Sequence, residues 1–136
     1  MLKKICILLF SIIFSTNSLS QEIEKVYFAG GCFWCMEESF EKLDGVIEVI
    51  SGYSGGTTSN PTYKEVTYGD TGHFETVEII YDKSLINFEK LLKIFWINID
   101  PFDAKGQFCD KGYSYRSVAF FKTEGQKNQI LNSIKK

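Results

Sequence analysis

Glu24-Lys25-Val26-Tyr27-Phe28-Ala29-Gly30-Gly31-Cys32-Phe33-Trp34-Cys35-Met36 is the stretch on which the fold turns. Its first half alternates, with Val26 and Phe28 set against Lys25 and Tyr27, which predicts a short strand ending at Ala29. Past the two glycines, Met36, Phe40 and Leu43 recur at helical spacing until Asp44-Gly45 breaks the pattern. The glycine pair is therefore a strand-to-helix turn, and Cys32 falls at or just before the first helical residue. A thiol there faces unpaired backbone N–H groups and the positive end of the helix dipole, which favour its thiolate. Cys35 follows on the same face, within reach of a disulfide. The expectation is a reactive cysteine with a partner thiol beside it.

Toward the N-terminus, Lys3 and Lys4 precede an apolar run from Ile5 to Phe14 and a small, polar exit at Ser18-Leu19-Ser20. This resembles a secretory signal peptide over residues 1–20, cut before Gln21. The run is shorter than the roughly 20 residues a membrane span needs. An uncleaved anchor or a buried N-terminal helix is the alternative. Cleavage predicts an exported protein, periplasmic or extracellular, with no stable membrane association. It also removes Cys6 and leaves Cys32, Cys35 and Cys109 where disulfides persist, so one thiol stays over when a single pair forms. Residues 21–136 suit one domain. With 15 Lys and Arg against 17 Asp and Glu, the charge gives no reason to expect nucleic acid or an anionic membrane as partner.

Toward the C-terminus, periodicity predicts strands over Lys25–Ala29, Val46–Tyr53, Thr76–Tyr81 and Ser117–Phe121. It predicts helices over Phe33–Leu43, Phe88–Ile97 and Glu124–Ser133. The order β-α-β-β-α-β implies an α/β (α+β) ferredoxin-like two-layer sandwich, with a mixed or antiparallel sheet and helices on one face. Two long irregular stretches remain, Ser54–Glu75 and Asp100–Arg116. Such loops in so small a domain point to function.

The Cys32/Cys35 pair has several readings. It fits a structural disulfide, a zinc site completed by Cys109 and His73, or a thioredoxin-like redox pair. Its neighbours narrow the choice. Phe33 and Trp34 at a helix start suit an apolar pocket beside a nucleophile, with Trp34 as a packing residue the plainer reading. Glu75 stands at the mouth of the third strand; partly buried among aromatics it would have a raised pKa and deliver a proton near neutral pH. A solvated glutamate is the alternative. The second loop offers Gln107, Cys109, Asp110 and Tyr115, and tyrosine hydroxyls in a dry site serve a developing oxyanion.

Gly31-Cys32-Phe33-Trp34-Cys35, Gly52-Tyr53-Ser54-Gly55-Gly56, Asn60-Pro61-Thr62-Tyr63, Gly72-His73-Phe74-Glu75, Phe95-Trp96, Asp100-Pro101 and Tyr115-Arg116-Ser117 occur in this order. Together they resemble the type A peptide methionine sulfoxide reductases, from about Lys25 onward. The resemblance implies that Cys32 is the nucleophile attacking the sulfoxide sulfur. It implies that Phe33 and Trp34 hold the substrate methyl, with His73 beside the substrate. Glu75 would protonate the oxygen, with Tyr63, Tyr115 and Asp110 completing the site. A sulfenic acid on Cys32 would then condense with a second thiol, and a thioredoxin-like dithiol would reduce the disulfide. The implied substrate is methionine S-sulfoxide, free or in proteins, and no metal or organic cofactor is implied. A thioredoxin-like dithiol oxidoreductase and a non-catalytic sulfoxide-binding domain are the alternatives.

The chain departs from the pattern in two places. Where the family often shows Arg-Gln-Gly-Asn before the aspartate, Gly106-Gln107-Phe108-Cys109 stands here, so Cys35 and Cys109 are both candidates to resolve the sulfenic acid. Family members also usually continue with a further strand and a block resembling Ala-Glu-Asp-Tyr-His-Gln, which this sequence does not contain. The expectation is a more open site.

Overall fold

The computed structural model describes residues 21–135; the leader expected over residues 1–20 lies outside them. Strand β1 (Ile23–Gly30) leads into helix α1 (Phe33–Glu41), and β2 (Val46–Ser54) follows. Helix α2 (Tyr63–Tyr68) interrupts the first long loop before β3 (Phe74–Asp82) and α3 (Phe88–Ile97). A small hairpin, β4 (Gly106–Gln107) and β5 (Asp110–Lys111), then precedes a 3-10 turn at Tyr113–Tyr115. Strand β6 (Ser117–Ala119) and helix α4 (Glu124–Ser133) follow.

The main sheet has the order β2-β3-β1-β6, and every neighbouring pair is antiparallel. That is the expected split β-α-β arrangement in its fully antiparallel form. The register sets Val26 opposite Ile79 and Phe28 opposite Val77, so β1 and β3 turn alternate residues to one face. Helices α1, α3 and α4 cover that face with Met36, Phe40, Leu91, Leu92, Phe95 and Ile130. Phe28 is the centre of the core, its ring 4.7 Å from Phe95, 5.8 Å from Phe40 and 6.1 Å from Phe88. Truncating so buried a ring costs about 3–5 kcal/mol. The opposite face is partly wet, and there Lys25 pairs with Glu78 at 2.7 Å.

Three elements differ from expectation. Helix α2 occupies part of a stretch expected to be irregular; Thr62 and Glu65 close a reciprocal capping box around its first turn. The third strand begins at Phe74 rather than Thr76, which places Glu75 inside the sheet. Strand β6 stops at Ala119, two residues before the expected end; its ladder pairs Ser117 to Ala119 with Gly30 to Phe28, and beyond it the Phe120 N–H still reaches the Tyr27 carbonyl at 3.1 Å. Among the described residues no helix is long and apolar enough to cross a membrane.

Candidate active site

Central strand β1 delivers Cys32 to the N-cap position of α1. The turn that does so needs both glycines. A Cβ on Gly30 would stand 2.5 Å from Met36 Sδ; Gly31 has φ +87°, and its Cβ would meet Gln107 Cβ at 2.7 Å. That second approach fastens the loop after α3 to the cysteine turn. Gln107 is fully buried, donates to the Asp100 and Gly106 carbonyls, and accepts the Asp100 N–H at 2.7 Å. The sequence offered Gln107 as one loop residue among several, and nothing local marked it as a clamp.

The Cys32 carbonyl accepts the N–H groups of Cys35 and Met36, but its side chain takes no capping hydrogen bond. The Phe33 N–H goes instead to Glu75 Oε2, at 3.2 Å. The helix terminus thus holds the acid beside the thiol. Glu75 points to the core side of β3 with Val77, Ile79 and Tyr81 and is 1% exposed, so it is not a solvated surface carboxylate. Its Oε1 has no hydrogen-bond partner among the described residues. Burial pushes the Glu75 carboxyl above its ordinary range; the Phe33 N–H opposes the shift, the Asp110 charge adds to it, and the Tyr115 hydroxyl opposes it.

Aromatic rings surround this pair. Phe33 is buried, with its ring 5.3 Å from Trp34, 5.8 Å from Tyr53 and 6.3 Å from Tyr63. Trp34 is 65% exposed and stacks on Tyr63 at 6.5 Å, so it is a platform and not a core residue. Tyr63 reaches this position as the first residue of α2. Its phenol stands against that of Tyr115, whose pKa is raised by the contact, by burial and by Glu75. Burial likewise raises Tyr53, which Glu75 and Tyr63 reinforce. The Tyr53 and Tyr115 phenols stay protonated as donors at neutral pH.

On its other flank Cys32 lines a cleft of about 310 Å³ together with Cys35, Cys109, Met36, Gln107 and Asp110. All three cysteines are free; Cys32 is half-buried, while Cys35 and Cys109 are exposed. A hydrogen bond to Cys32 pushes the Cys35 thiol up, with burial and the charges of Cys32, Asp110 and Glu38 adding. Cys109 sits with Phe108 at the two-residue tip of the β4–β5 hairpin.

His73 serves the loop. Its Nδ1 accepts the Gly56 N–H at 3.2 Å and its Nε2 faces the Thr58 carbonyl at 2.8 Å, so both ring nitrogens are engaged within residues 56–73. The site residues brought together are Cys32, Cys35, Cys109, Asp110, Glu75, Phe33, Trp34, Tyr63 and Tyr115, with Tyr53 added to them. Among the described residues, no group of three or more His, Cys, Asp or Glu is arranged to hold a metal ion.

Residues 24–136, which include every one of these groups, match the model of the peptide methionine sulfoxide reductase family. The chain belongs to that family. It is 52% identical over 115 residues to a peptide methionine sulfoxide reductase MsrA of Listeria innocua, covering 85% of this chain and 64% of that one. It is 50% identical over 109 residues to a protein of the same name from Halalkalibacterium halodurans, covering 80% and 62%. Among solved structures, methionine sulfoxide reductase A of Corynebacterium diphtheriae superposes with a TM-score of 0.76 at 33% identity, over 83% of this chain and 53% of that one. Reduced Mxr1 from Saccharomyces cerevisiae gives 0.78 at 25% identity, over 88% and 72%. The chain thus spans about three-fifths of the length of these curated methionine sulfoxide reductases.

Proposed function

We propose that this chain reduces methionine S-sulfoxide, in peptides or free, with Cys32 as the nucleophile. One observation carries the proposal: a fully buried carboxyl, Glu75, is fixed to the backbone of the residue after Cys32 with one oxygen unpartnered. A carboxyl whose pKa is raised keeps its proton to higher pH and is the better general acid. The sulfoxide oxygen is set against Glu75 Oε1, with the Tyr63 and Tyr115 hydroxyls as further donors. The substrate methyl rests among Phe33, Trp34 and Tyr53. Family membership supports the same roles.

The Cys32 sulfur attacks the sulfoxide sulfur while Glu75 gives its proton to the oxygen. Collapse moves the oxygen to Cys32, leaving a thioether and a sulfenic acid, and the proton of the Cys32 thiol restores Glu75. Cys35, which lines the same cleft, condenses with the sulfenic acid to a disulfide and water. Cys109 in the same cleft is the second thiol able to resolve or to receive that disulfide. An external thioredoxin-like dithiol supplies the two electrons, and no step calls on a metal or an organic cofactor. The leader-like pattern of residues 1–20 supports placing this chemistry in an exported compartment.

The test is single-turnover reduction of a methionine S-sulfoxide peptide by the pre-reduced chain, beside Cys32→Ser. Methionine formed in proportion to enzyme, absent in the variant and absent with the R epimer, supports the reading. No methionine from the folded, reduced chain overturns it.

A further inference from the structure

We propose that a protein dithiol reductant docks on the thiol cleft from its Ile97–Phe108 side, leaving the aromatic platform to the substrate. The proposal rests on Cys32 being the sulfoxide-reducing thiol. The first turn of α1 separates two approaches to that sulfur. Trp34, Tyr63, Glu75 and Tyr115 stand on one flank, and none of them lines the cleft. Cys35 and Cys109 open on the other flank and are exposed, whereas Cys32 is half-buried. A second protein therefore reaches sulfur from the cleft side.

The rim of the cleft is apolar where such a protein would land. Ile97, at the end of α3, is 67% exposed, and Phe108, at the hairpin tip, is 64% exposed. Phe108 also holds φ +50°, a left-handed conformation that a bulky residue adopts only at a cost and that glycine adopts freely. It recovers little of that cost by burial. An aromatic side chain held in the solvent by a strained backbone is a mark of contact with something else. A cleft of about 310 Å³ admits one or two side chains and not a domain. The partner must then carry its thiol on a protruding tip with apolar surroundings, as an exposed Cys-x-x-Cys at a helix start does. The negative charges of Asp110 and Glu38 near Cys35 call for a neutral or basic rim on the partner.

The chemistry balances on two electrons. The partner thiolate attacks the exposed Cys35 sulfur of a Cys32–Cys35 disulfide, the S–S bond breaks, and Cys32 leaves as thiolate. The partner's second thiol then attacks its own sulfur in the mixed disulfide. Cys35 is released and takes the proton of that second thiol, and the partner departs oxidised. A disulfide that has passed to Cys109 presents its sulfur in the same cleft.

The experiment starts from the full chain oxidised with diamide and contains no sulfoxide. Its reduction is followed by thiol counting, once with a thioredoxin-type dithiol protein and once with dithiothreitol. Phe108→Gly and Ile97→Ser are expected to slow reduction by the protein about tenfold each, the loss typical of a central apolar contact. Neither is expected to change the rate with dithiothreitol. Leu85→Ser, which removes an equally exposed apolar side chain at the β3–α3 turn, should change neither rate. Phe108→Gly should raise the melting temperature while lowering the protein-dithiol rate, a combination that a structural role for Phe108 does not give. Equal losses with both reductants, an unchanged protein-dithiol rate, or a chain that forms no disulfide among Cys32, Cys35 and Cys109 would overturn the proposal. Failure of the sulfoxide-reducing reading shows separately, as absence of Cys32-dependent methionine.

Discussion

Glu75 Oε2 accepts the backbone N–H of Phe33 at 3.2 Å, which ties the buried acid to the residue next to the nucleophile. Glu75→Gln keeps an acceptor for that N–H and removes the transferable proton. Single-turnover reduction is therefore expected to fall by about 10²- to 10⁴-fold, the usual contribution of a general acid. In the wild type the reduction rate should decline as pH rises through the raised Glu75 pKa.

Stability should follow the same titration. Because the folded-state pKa of Glu75 lies above its unfolded value, the folded chain holds the Glu75 proton more tightly. Its contribution to stability is full below the unfolded pKa and is lost as pH rises through the folded one. Denaturant titrations at several pH values should show Glu75→Gln gaining stability over the wild type above that window and not below it. A variant that is uniformly less stable would show that the carboxyl is folded into the core as an ion.

The strand-to-helix turn is legible because alternation in β1 and helical spacing in α1 meet at two glycines, and the element order β-α-β-β-α-β follows from the same periodicity; the strand order within the sheet is set by pairing between distant segments. Helix α2 was less visible, being only six residues long, yet Thr62-Tyr63-Lys64-Glu65 carries the capping-box spacing that would have found it. The sequence sets Glu75 at a strand mouth, because Phe74-Glu75 shows no alternation of its own; pairing with β2, Tyr53 opposite Glu75, extends the strand over it. The clamp by Gln107 and the docking of the hairpin against the turn are contacts between distant segments, and no local pattern encodes them. His73, which the resemblance sets beside the substrate, engages loop backbone with both ring nitrogens.

Gly31→Ala tests how tightly the turn is fixed. Alanine at φ +87° is strained, and its methyl would stand 2.7 Å from Gln107 Cβ, on a side chain held by three hydrogen bonds. The expected loss is about 2–3 kcal/mol of stability by denaturant unfolding. A loss below about 0.5 kcal/mol would mean that the hairpin yields easily.

Thr62→Ala should act through Tyr63. Removing the side chain that accepts the Glu65 N–H costs about 1 kcal/mol at a helix start, and α2 is short enough for most of it to appear locally. Tyr63 would lose its fixed place over Trp34, so KM for a sulfoxide peptide should rise several-fold while Cys32 alkylation by iodoacetamide is unchanged. An unchanged KM would show that Tyr63 is held by its ring contacts alone.

Trp34→Ala separates binding from folding. With 65% of the residue in solvent, truncation should change stability by no more than about 0.5 kcal/mol. The same truncation removes the stack on Tyr63 at 6.5 Å and the outer wall over Phe33, where the substrate methyl would lie. Losing such a wall is worth about 1–3 kcal/mol of discrimination for a small apolar group. The specificity constant for a methionine sulfoxide peptide should therefore fall about 10- to 100-fold, with thermal unfolding unmoved. Equal losses in the specificity constant and in stability would return Trp34 to a packing role.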